Sequence, residues 1–153
     1  MRSVTRFGAV VVLVAALATP VACSSAPQPR TLAGTSWQLT AIQSMDDAQG
    51  TTPQPDPGKI TVTFGTDGRA AFQLDCNSGS GSFESKPSAD GTSGSLTFGP
   101  VATTLMGCPG AGQGQLDQEV GAALPQVTSY LIKDDQLNMS LMADGGILTW
   151  RPA

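Results

Sequence analysis

Apolar and polar residues alternate along most of the chain. Residues 60–64 have this pattern, residues 65–68 are rich in glycine and aspartate, and residues 70–74 alternate again. A period of two on both sides of a Gly/Asp turn is typical of an antiparallel β-hairpin with one buried face. The segment before it, residues 50–58, contains three prolines and predicts an irregular surface loop.

Shorter alternating segments occur on both sides of this hairpin. They lie at residues 35–42, 79–85, 96–98, 130–132, 137–141 and 148–150. One interval has a helical period instead, because Leu116, Val120, Ala123 and Leu124 fall on one face of a helix that ends near Pro125. We expect an α+β domain in which about seven antiparallel strands form a curled sheet or partial barrel with one helix.

The large apolar side chains fall mostly on the predicted buried faces. They are Trp37, Phe64, Phe72, Phe83, Phe98, Met106 and Trp150. A domain of about 120 residues needs nearly all of them in its core. If the sheet curls into a half-barrel, some could instead line a groove for an acyl chain or a peptide, and the periodicity is compatible with both arrangements.

The N-terminus has the layout of an export signal. Arg2 and Arg6 precede an apolar run from Phe7 to Ala18, which is too short to span a bilayer comfortably. We therefore predict a signal peptide over residues 1–22. A polar, proline-containing tether over residues 23–33 and a single domain over residues 34–153 complete the predicted organisation.

Small residues and a cysteine follow the apolar run. The segment Val21-Ala22-Cys23 resembles the lipobox of bacterial lipoproteins, whose cysteine becomes the acylated first residue. The resemblance implies that Cys23 carries the acyl chains, palmitate among them, that anchor the protein in the cell membrane. Pro20 stands where the motif prefers leucine, so ordinary cleavage and a secreted, unanchored protein is the alternative.

The charge balance is acidic. Lys and Arg number 8 and Asp and Glu number 12, and removal of residues 1–22 leaves 6 basic and 12 acidic groups. Such a chain is a poor nucleic-acid binder, because phosphate contacts need a basic face. It would also be repelled by anionic lipids, so that acyl chains and not charge would hold it at a membrane.

The complete absence of histidine restricts the possible chemistry. Ser-His-Asp and Cys-His catalysis and imidazole-bound zinc are all excluded. Asp46-Asp47 and Asp134-Asp135 fall in predicted turns, where aspartate is favoured for local backbone hydrogen bonds. We expect no catalytic residue, no metal site and no cofactor.

The three cysteines are Cys23, Cys76 and Cys108. If Cys23 is acylated, the other two can pair in an oxidising compartment as a structural disulfide. The alternative, a redox site, lacks both a Cys-x-x-Cys motif and a neighbouring cation that would activate a thiol. The structural disulfide Cys76–Cys108 is therefore the prediction.

Five short motifs occur in a recognisable order. They are Gly34–Leu39 (GTSWQL), Gly68-Arg69, Asp75-Cys76-Asn77, Gly94–Pro100 (GSLTFGP) and Thr103–Cys108 (TTLMGC). Together they resemble the META domain (HslJ-like) family over about residues 34–151. This chain departs from the family pattern in having Asp75 where a glycine is usual and Gly107 where an alanine is usual.

The resemblance implies an envelope-associated protein linked to stress or antibiotic tolerance, with no established catalytic activity. It implies a fold similar to that of a lipid-binding pilot protein of a secretion system. We therefore expect a non-enzymatic envelope lipoprotein that acts as a binding or envelope-maintenance module, with a membrane and a lipid or envelope protein as partners. An acyl-chain binder or pilot-like protein is the first alternative, and an uncharacterised enzyme is the second.

Overall fold

The computed structural model describes residues 31–45, 50–53, 59–107 and 114–153. These contain ten strands and one α-helix: β1 (Ser36–Gln43), β2 (Thr51–Pro53), β3 (Thr61–Phe64), β4 (Arg69–Gln73), β5 (Ser78–Pro87), β6 (Ser93–Phe98), β7 (Ala102–Thr103), α1 (Gln115–Ala123), β8 (Val127–Lys133), β9 (Gln136–Leu141) and β10 (Ile147–Pro152). The predicted signal peptide, Cys23, most of the tether, Asp46-Asp47 and Cys108 lie outside the described residues.

Eight of the strands form a closed antiparallel barrel. The order around it is β1, β3, β4, β5, β6, β8, β9 and β10, and β10 pairs with β1 from Trp37↔Pro152 to Gln43↔Ile147. The two short strands β2 and β7 pair with β1 and β5 at the margins. The predicted mixture of antiparallel strands and one helix is confirmed. The partial barrel of about seven strands is wrong in extent, because the first and last strands of the domain pair and close the sheet.

The hairpin predicted at residues 60–74 is confirmed as β3 and β4. Its register runs from Thr61↔Gln73 to Phe64↔Ala70. The turn is closed by the Gly65 N–H, which donates to the Arg69 carbonyl over 2.7 Å. Gly68 lies in the left-handed region at φ 78°, where a side chain would be strained, and this explains the glycine in the turn.

Two local features differ from the sequence prediction. Strict alternation from Trp37 and Leu39 would place Ala41 on the buried face. A bulge between Leu39 and Ala41 shifts the phase of β1, so that Ile42 packs against the core instead. Residues 51–53 form β2, although the prolines of this segment predicted an irregular loop. Pro53 is tolerated because β2 is a short strand at the margin of the sheet, where a missing N–H leaves no gap in a ladder.

The barrel interior is a packed hydrophobic core. Phe64 makes an edge-to-face contact with Phe83, with ring centroids 4.9 Å apart, and Phe72 makes another with Phe98 at 5.4 Å. Side chains of an eight-stranded barrel are just large enough to fill its interior. Of the apolar residues predicted to be buried, only Met106 is exposed, with 63% of its surface accessible.

The 3-10 turn that follows α1 contacts β6, where the ladder with β8 ends. Strand β6 pairs with β8 only from Ser93↔Leu131 to Ser95↔Ser129, so the rest of β6 has no strand on that side among the described residues. The chain enters β8 through α1 and a 3-10 turn at Leu124–Gln126, which contacts β6. Val120 of α1 is fully buried and so helps to complete the core at this point.

Within the described part of the chain, no helix has the length and apolarity that crossing a membrane requires.

Candidate functional site

A cleft of about 650 Å³ lies between helix α1 and the chain that follows β6. Its lining includes Val101, Thr103 and Leu105 from that chain, and Asp117, Gln118 and Gly121 from α1. Leu74 and Asn77 from the turn between β4 and β5 also contribute to the lining.

One side of the cleft is organised by the carboxylate of Asp117. This side chain is only 7% exposed. Its Oδ1 accepts the Asp75 N–H at 2.6 Å, while Oδ2 accepts the Asn77 Nδ2 at 2.9 Å and the Cys76 N–H at 3.4 Å. Three donors from the turn between β4 and β5 therefore compensate the burial of one charge.

Asn77 joins three segments of the chain. Its Nδ2 donates to Asp117 of α1, and its Oδ1 accepts from Thr104 Oγ1 at 3.0 Å and from the Met106 N–H at 2.7 Å. Its own carbonyl accepts the Leu74 N–H at 2.8 Å. An amide suits this position because it offers a donor and an acceptor at once, which neither a carboxylate nor an aliphatic side chain can do.

The cleft is uncharged apart from this satisfied carboxylate. No lysine or arginine is among the residues that line it. Asp75, whose N–H donates to Asp117, also forms an ion pair in which Lys59 Nζ lies 3.5 Å from Asp75 Oδ1. The Lys59 side chain is about half exposed. A phosphate or carboxylate ligand would find no cationic partner in the lining, so the site suits an uncharged group.

Sequence reasoning identified the Asp75-Cys76-Asn77 motif but missed the role of Asp117. In sequence terms Asp117 appeared only as an acidic residue in the first turn of a helix. Its spacing from Val120 and Leu124 gave a usable signal, because positions three and seven apart share one face and a charge on an apolar face needs buried partners.

Cys76 is disulfide-bonded in the structure, and the cysteine bonded to it is not among the described residues. Cys76 Sγ lies 3.5 Å from Asp117 Oδ2 at the edge of the cleft, and Gly107 lines the cleft. Cys108 follows Gly107 directly but is outside the described residues, as is Cys23. The Cys76–Cys108 disulfide and the acylation of Cys23 both remain predictions.

Of the aspartates predicted to lie in turns, the structure describes Asp134 and Asp135. Asp134 and Asp135 both lie in the left-handed region, at φ 51° and 56°, in the turn between β8 and β9. Across the described ranges, no three Cys, Asp or Glu side chains are close enough to share a metal ion.

A second polar cluster lies on the loop between β5 and β6. Asp90 Oδ1 accepts from Ser88 Oγ at 2.7 Å and from the Thr92 N–H at 3.0 Å, and these bonds lower the pKa of Asp90. Tyr130 Oη donates to the Gly91 carbonyl at 3.2 Å. Burial of the ring, and secondly the charge of Asp90, raise the pKa of Tyr130. This cluster orders the loop and has no cavity beside it among those described.

Comparison with known proteins identifies the domain. The family model of the META domain matches residues 30–152. An NMR structure of a protein from Burkholderia xenovorans is similar, with a TM-score of 0.62, 26% identity, and coverage of 89% of this chain and 97% of that one. A crystal structure of a DUF4847 family protein from Bacteroides vulgatus ATCC 8482 has a TM-score of 0.51 and 12% identity, covering 78% and 93%. No curated protein matches the chain.

Proposed function

The chain belongs to the META domain family, and from this premise we propose that it is a non-enzymatic, lipid-anchored binding module of the bacterial envelope whose ligand occupies the α1 cleft. The observation that carries the proposal is Gly121. This residue lines the cleft in the last turn of α1, and a Cβ added to it would meet no atom of the described residues within 4 Å.

A glycine inside a helix is costly unless something requires it. It destabilises a helix by about 1 kcal/mol relative to alanine. Within the described part of the chain, no backbone or side-chain atom occupies the position of the missing side chain. A ligand that needs the space beside α1 does give a reason.

The absence of enzymatic activity is supported by the chemistry of the cleft. Its buried carboxylate already accepts three hydrogen bonds from the Asp75–Asn77 turn, so both of its oxygens are engaged within the protein. The chain contains no histidine to act as a general base. Binding without turnover is the function that such a lining supports.

The location at the envelope rests on the N-terminal residues. The apolar run after Arg2 and Arg6 and the segment ending at Cys23 support export and acylation. One acyl chain binds a membrane only marginally and two or more hold a protein stably, so a lipobox-type modification of Cys23 would suffice as an anchor.

An aliphatic ligand is the second candidate, because of exposed apolar side chains at the cleft. Leu105 is 96% exposed and Met106 is 63% exposed, and both line it. Such exposure of adjacent apolar residues favours a ligand that covers them. An acyl chain and an apolar peptide both have the required chemistry.

Native mass spectrometry tests whether the cleft holds a ligand. We would purify the wild-type chain and the Gly121→Leu variant in parallel from membranes of the producing bacterium. The Cβ of leucine meets no atom of the described residues within 4 Å, and the rest of its side chain adds bulk on the cleft side of α1. The proposal predicts an additional bound mass on the wild type that is lost in the variant. A bound mass retained by Gly121→Leu would place the ligand elsewhere, and no bound mass in either protein would contradict the binding function.

A further inference from the structure

The disulfide-bonded sulfur of Cys76 lies against a buried carboxylate. Its Sγ is 3.5 Å from Oδ2 of Asp117, and the Cys76 N–H donates to the same oxygen at 3.4 Å. A sulfur in a disulfide has no proton to donate, so at this contact nothing compensates the negative charge. We propose that the charge of Asp117 slows the attack of thiolates on this disulfide and so preserves the bridge where reduced thiols are present. This protective role goes beyond the binding function and does not depend on it.

The hydrogen bonds of Asp117 are those of an ionised carboxylate. Oδ1 accepts the Asp75 N–H at 2.6 Å, and Oδ2 accepts Asn77 Nδ2 at 2.9 Å in addition to the Cys76 N–H. These three partners are all N–H donors, and an ionised carboxylate can only accept. Because the residue is 7% exposed, water and salt screen its charge less than they screen the charge of a surface aspartate.

The charges next to this contact offset each other. Asp75 precedes Cys76 in the chain, and its Oδ1 forms an ion pair with Lys59 Nζ at 3.5 Å. The Lys59 side chain is half exposed, so solvent weakens its effect on the disulfide. Asp117 is therefore the charge that acts most directly on Sγ.

Reduction by a thiol brings negative charge to Cys76 whichever sulfur is attacked. A thiolate forms a new S–S bond to one sulfur of the bridge, the old S–S bond breaks, and the other sulfur leaves as a thiolate that takes a proton from water. If Cys76 Sγ is attacked, the incoming charge arrives beside Asp117. If the partner sulfur is attacked, Cys76 Sγ leaves with the charge at the same place.

A second thiolate of the same reagent then attacks the mixed disulfide. The bridge becomes two cysteine thiols, and two reagent thiols are oxidised to one disulfide. The carboxylate opposes the first step by either route, so the argument does not depend on where the partner cysteine lies. In the transition state the charge is shared among the sulfurs, and we expect a retardation of about tenfold, less than two full charges at this distance would give.

The test measures how the rate of reduction depends on the charge of the attacking thiol. The full exported chain is treated at low ionic strength with 2-mercaptoethanesulfonate, 2-mercaptoethanol or cysteamine, whose thiolate forms are doubly negative, singly negative and neutral overall. Reactions are quenched by alkylation and followed by intact mass, and each rate is divided by the thiolate concentration because the reagents differ in acidity. Wild type should react at least about tenfold more slowly with mercaptoethanesulfonate than with cysteamine.

Asp117→Asn should raise the rate with mercaptoethanol about tenfold and reduce the ratio between the two charged reagents at least about threefold. Two control variants should keep the wild-type ratio. Glu119→Gln removes a carboxylate from the exposed face of the same helix. Asn77→Ala removes one donor to Asp117 but retains the charge, and it should raise all three rates by a common factor.

The ratio separates the effect of charge from a loosening of the fold. An Asp117→Asn variant that reacts faster with all three thiols by one common factor would overturn the proposal. An Asn77→Ala variant that reduces the ratio as much as Asp117→Asn would also overturn it, because the protection would then come from the packing of the turn. A wild-type chain without a reducible bridge would overturn it as well.

Discussion

Asn77 Nδ2 donates to Asp117 Oδ2 over 2.9 Å, and this contact fastens the turn between β4 and β5 to helix α1. The two residues are 40 positions apart in the chain. The Oδ1 of Asn77 also accepts hydrogen bonds from Thr104 Oγ1 and from the Met106 N–H. The contact therefore fixes the distance between the two segments that border the cleft, and it links the stability of the domain to the shape of its binding site.

Asp117→Asn should destabilise the domain by roughly 2–3 kcal/mol. The carboxylate of Asp117 accepts three hydrogen bonds, whereas the amide of asparagine would direct its own N–H donor toward some of these donors. Equilibrium urea unfolding measures this. Glu119→Gln removes a carboxylate from the exposed face of the same helix and is the matched control, expected to change stability by less than about 0.5 kcal/mol. Equal effects of the two substitutions would show that Asp117 acts only through its charge near the helix N-terminus.

The disulfide predicted between Cys76 and Cys108 has a measurable effect. On the chain-entropy account, a bridge that closes a loop of about 32 residues stabilises by about 3–4 kcal/mol. Cys76→Ser and Cys108→Ser should therefore lower the midpoint of thermal unfolding equally, and a reductant should bring the wild type to the same midpoint.

Intact-mass measurement after thiol alkylation gives an independent check of this bridge. The exported protein should show no reactive thiol at Cys76 or Cys108. Two alkylated cysteines in the folded wild type would rule out the structural disulfide and give weight to the redox alternative.

Tyr130 is the single tyrosine of the chain, so tyrosinate absorbance reports it directly. Burial and the charge of Asp90 raise its pKa, and the native protein should titrate above 10.0 while the unfolded chain titrates near that value. Because the folded form holds its proton longer, the associated stability is present below pH 10 and is lost as the pH rises through the native pKa.

Two variants separate the causes of this shift. Asp90→Asn should lower the native midpoint only in part, since burial is the larger cause. Tyr130→Phe should cost about 1 kcal/mol by removing the bond to the Gly91 carbonyl. A native midpoint equal to that of the urea-unfolded chain would show that the ring is solvated.

Cys23→Ala should abolish membrane retention, because the proposed acyl chains, and not the acidic domain, hold the protein at the envelope. Fractionation of the producing bacterium with metabolic labelling by a palmitate analogue measures both location and modification. The variant is expected as unlabelled precursor or soluble protein, while Cys76→Ser, the control, should remain labelled and membrane-bound. Wild-type protein found wholly in the medium with an unmodified N-terminus would show that Pro20 directs ordinary cleavage.

Local patterns in the sequence predicted most strands and the helix. They did not predict which distant segments pair with each other to form the barrel and the site. The β3–β4 hairpin and the helix at residues 115–123 follow from periods of two and of 3.6 residues. Closure of the barrel depends on β1 and β10, which are at opposite ends of the domain and carry no local signal for each other. The bulge in β1 changed which side chain faces the core, because one extra residue inverts an alternating pattern.

The site was predictable only in part for a similar reason. The Asp75-Cys76-Asn77 motif was visible as a resemblance, but its function as a clamp requires Asp117 from another element. The cleft itself lies between α1 and the chain that follows β6, two segments that carry no local sequence signal for each other. Gly121 gave no signal in sequence, since an isolated glycine in a helix pattern is tolerated and acquires meaning only beside an open space.

The most direct measurement is the free energy of unfolding of Gly121→Ala, determined in urea together with that of the wild type. It distinguishes a glycine that the fold requires from a glycine that leaves space for a ligand. Ala122→Gly, an exposed position on the same helix, calibrates the intrinsic cost of glycine there at about 1 kcal/mol. If the glycine is kept for a ligand, Gly121→Ala will be more stable than the wild type by about that amount. A Gly121→Ala variant less stable than the wild type would show that the fold itself requires the glycine and would contradict the assignment of the cleft as the ligand site.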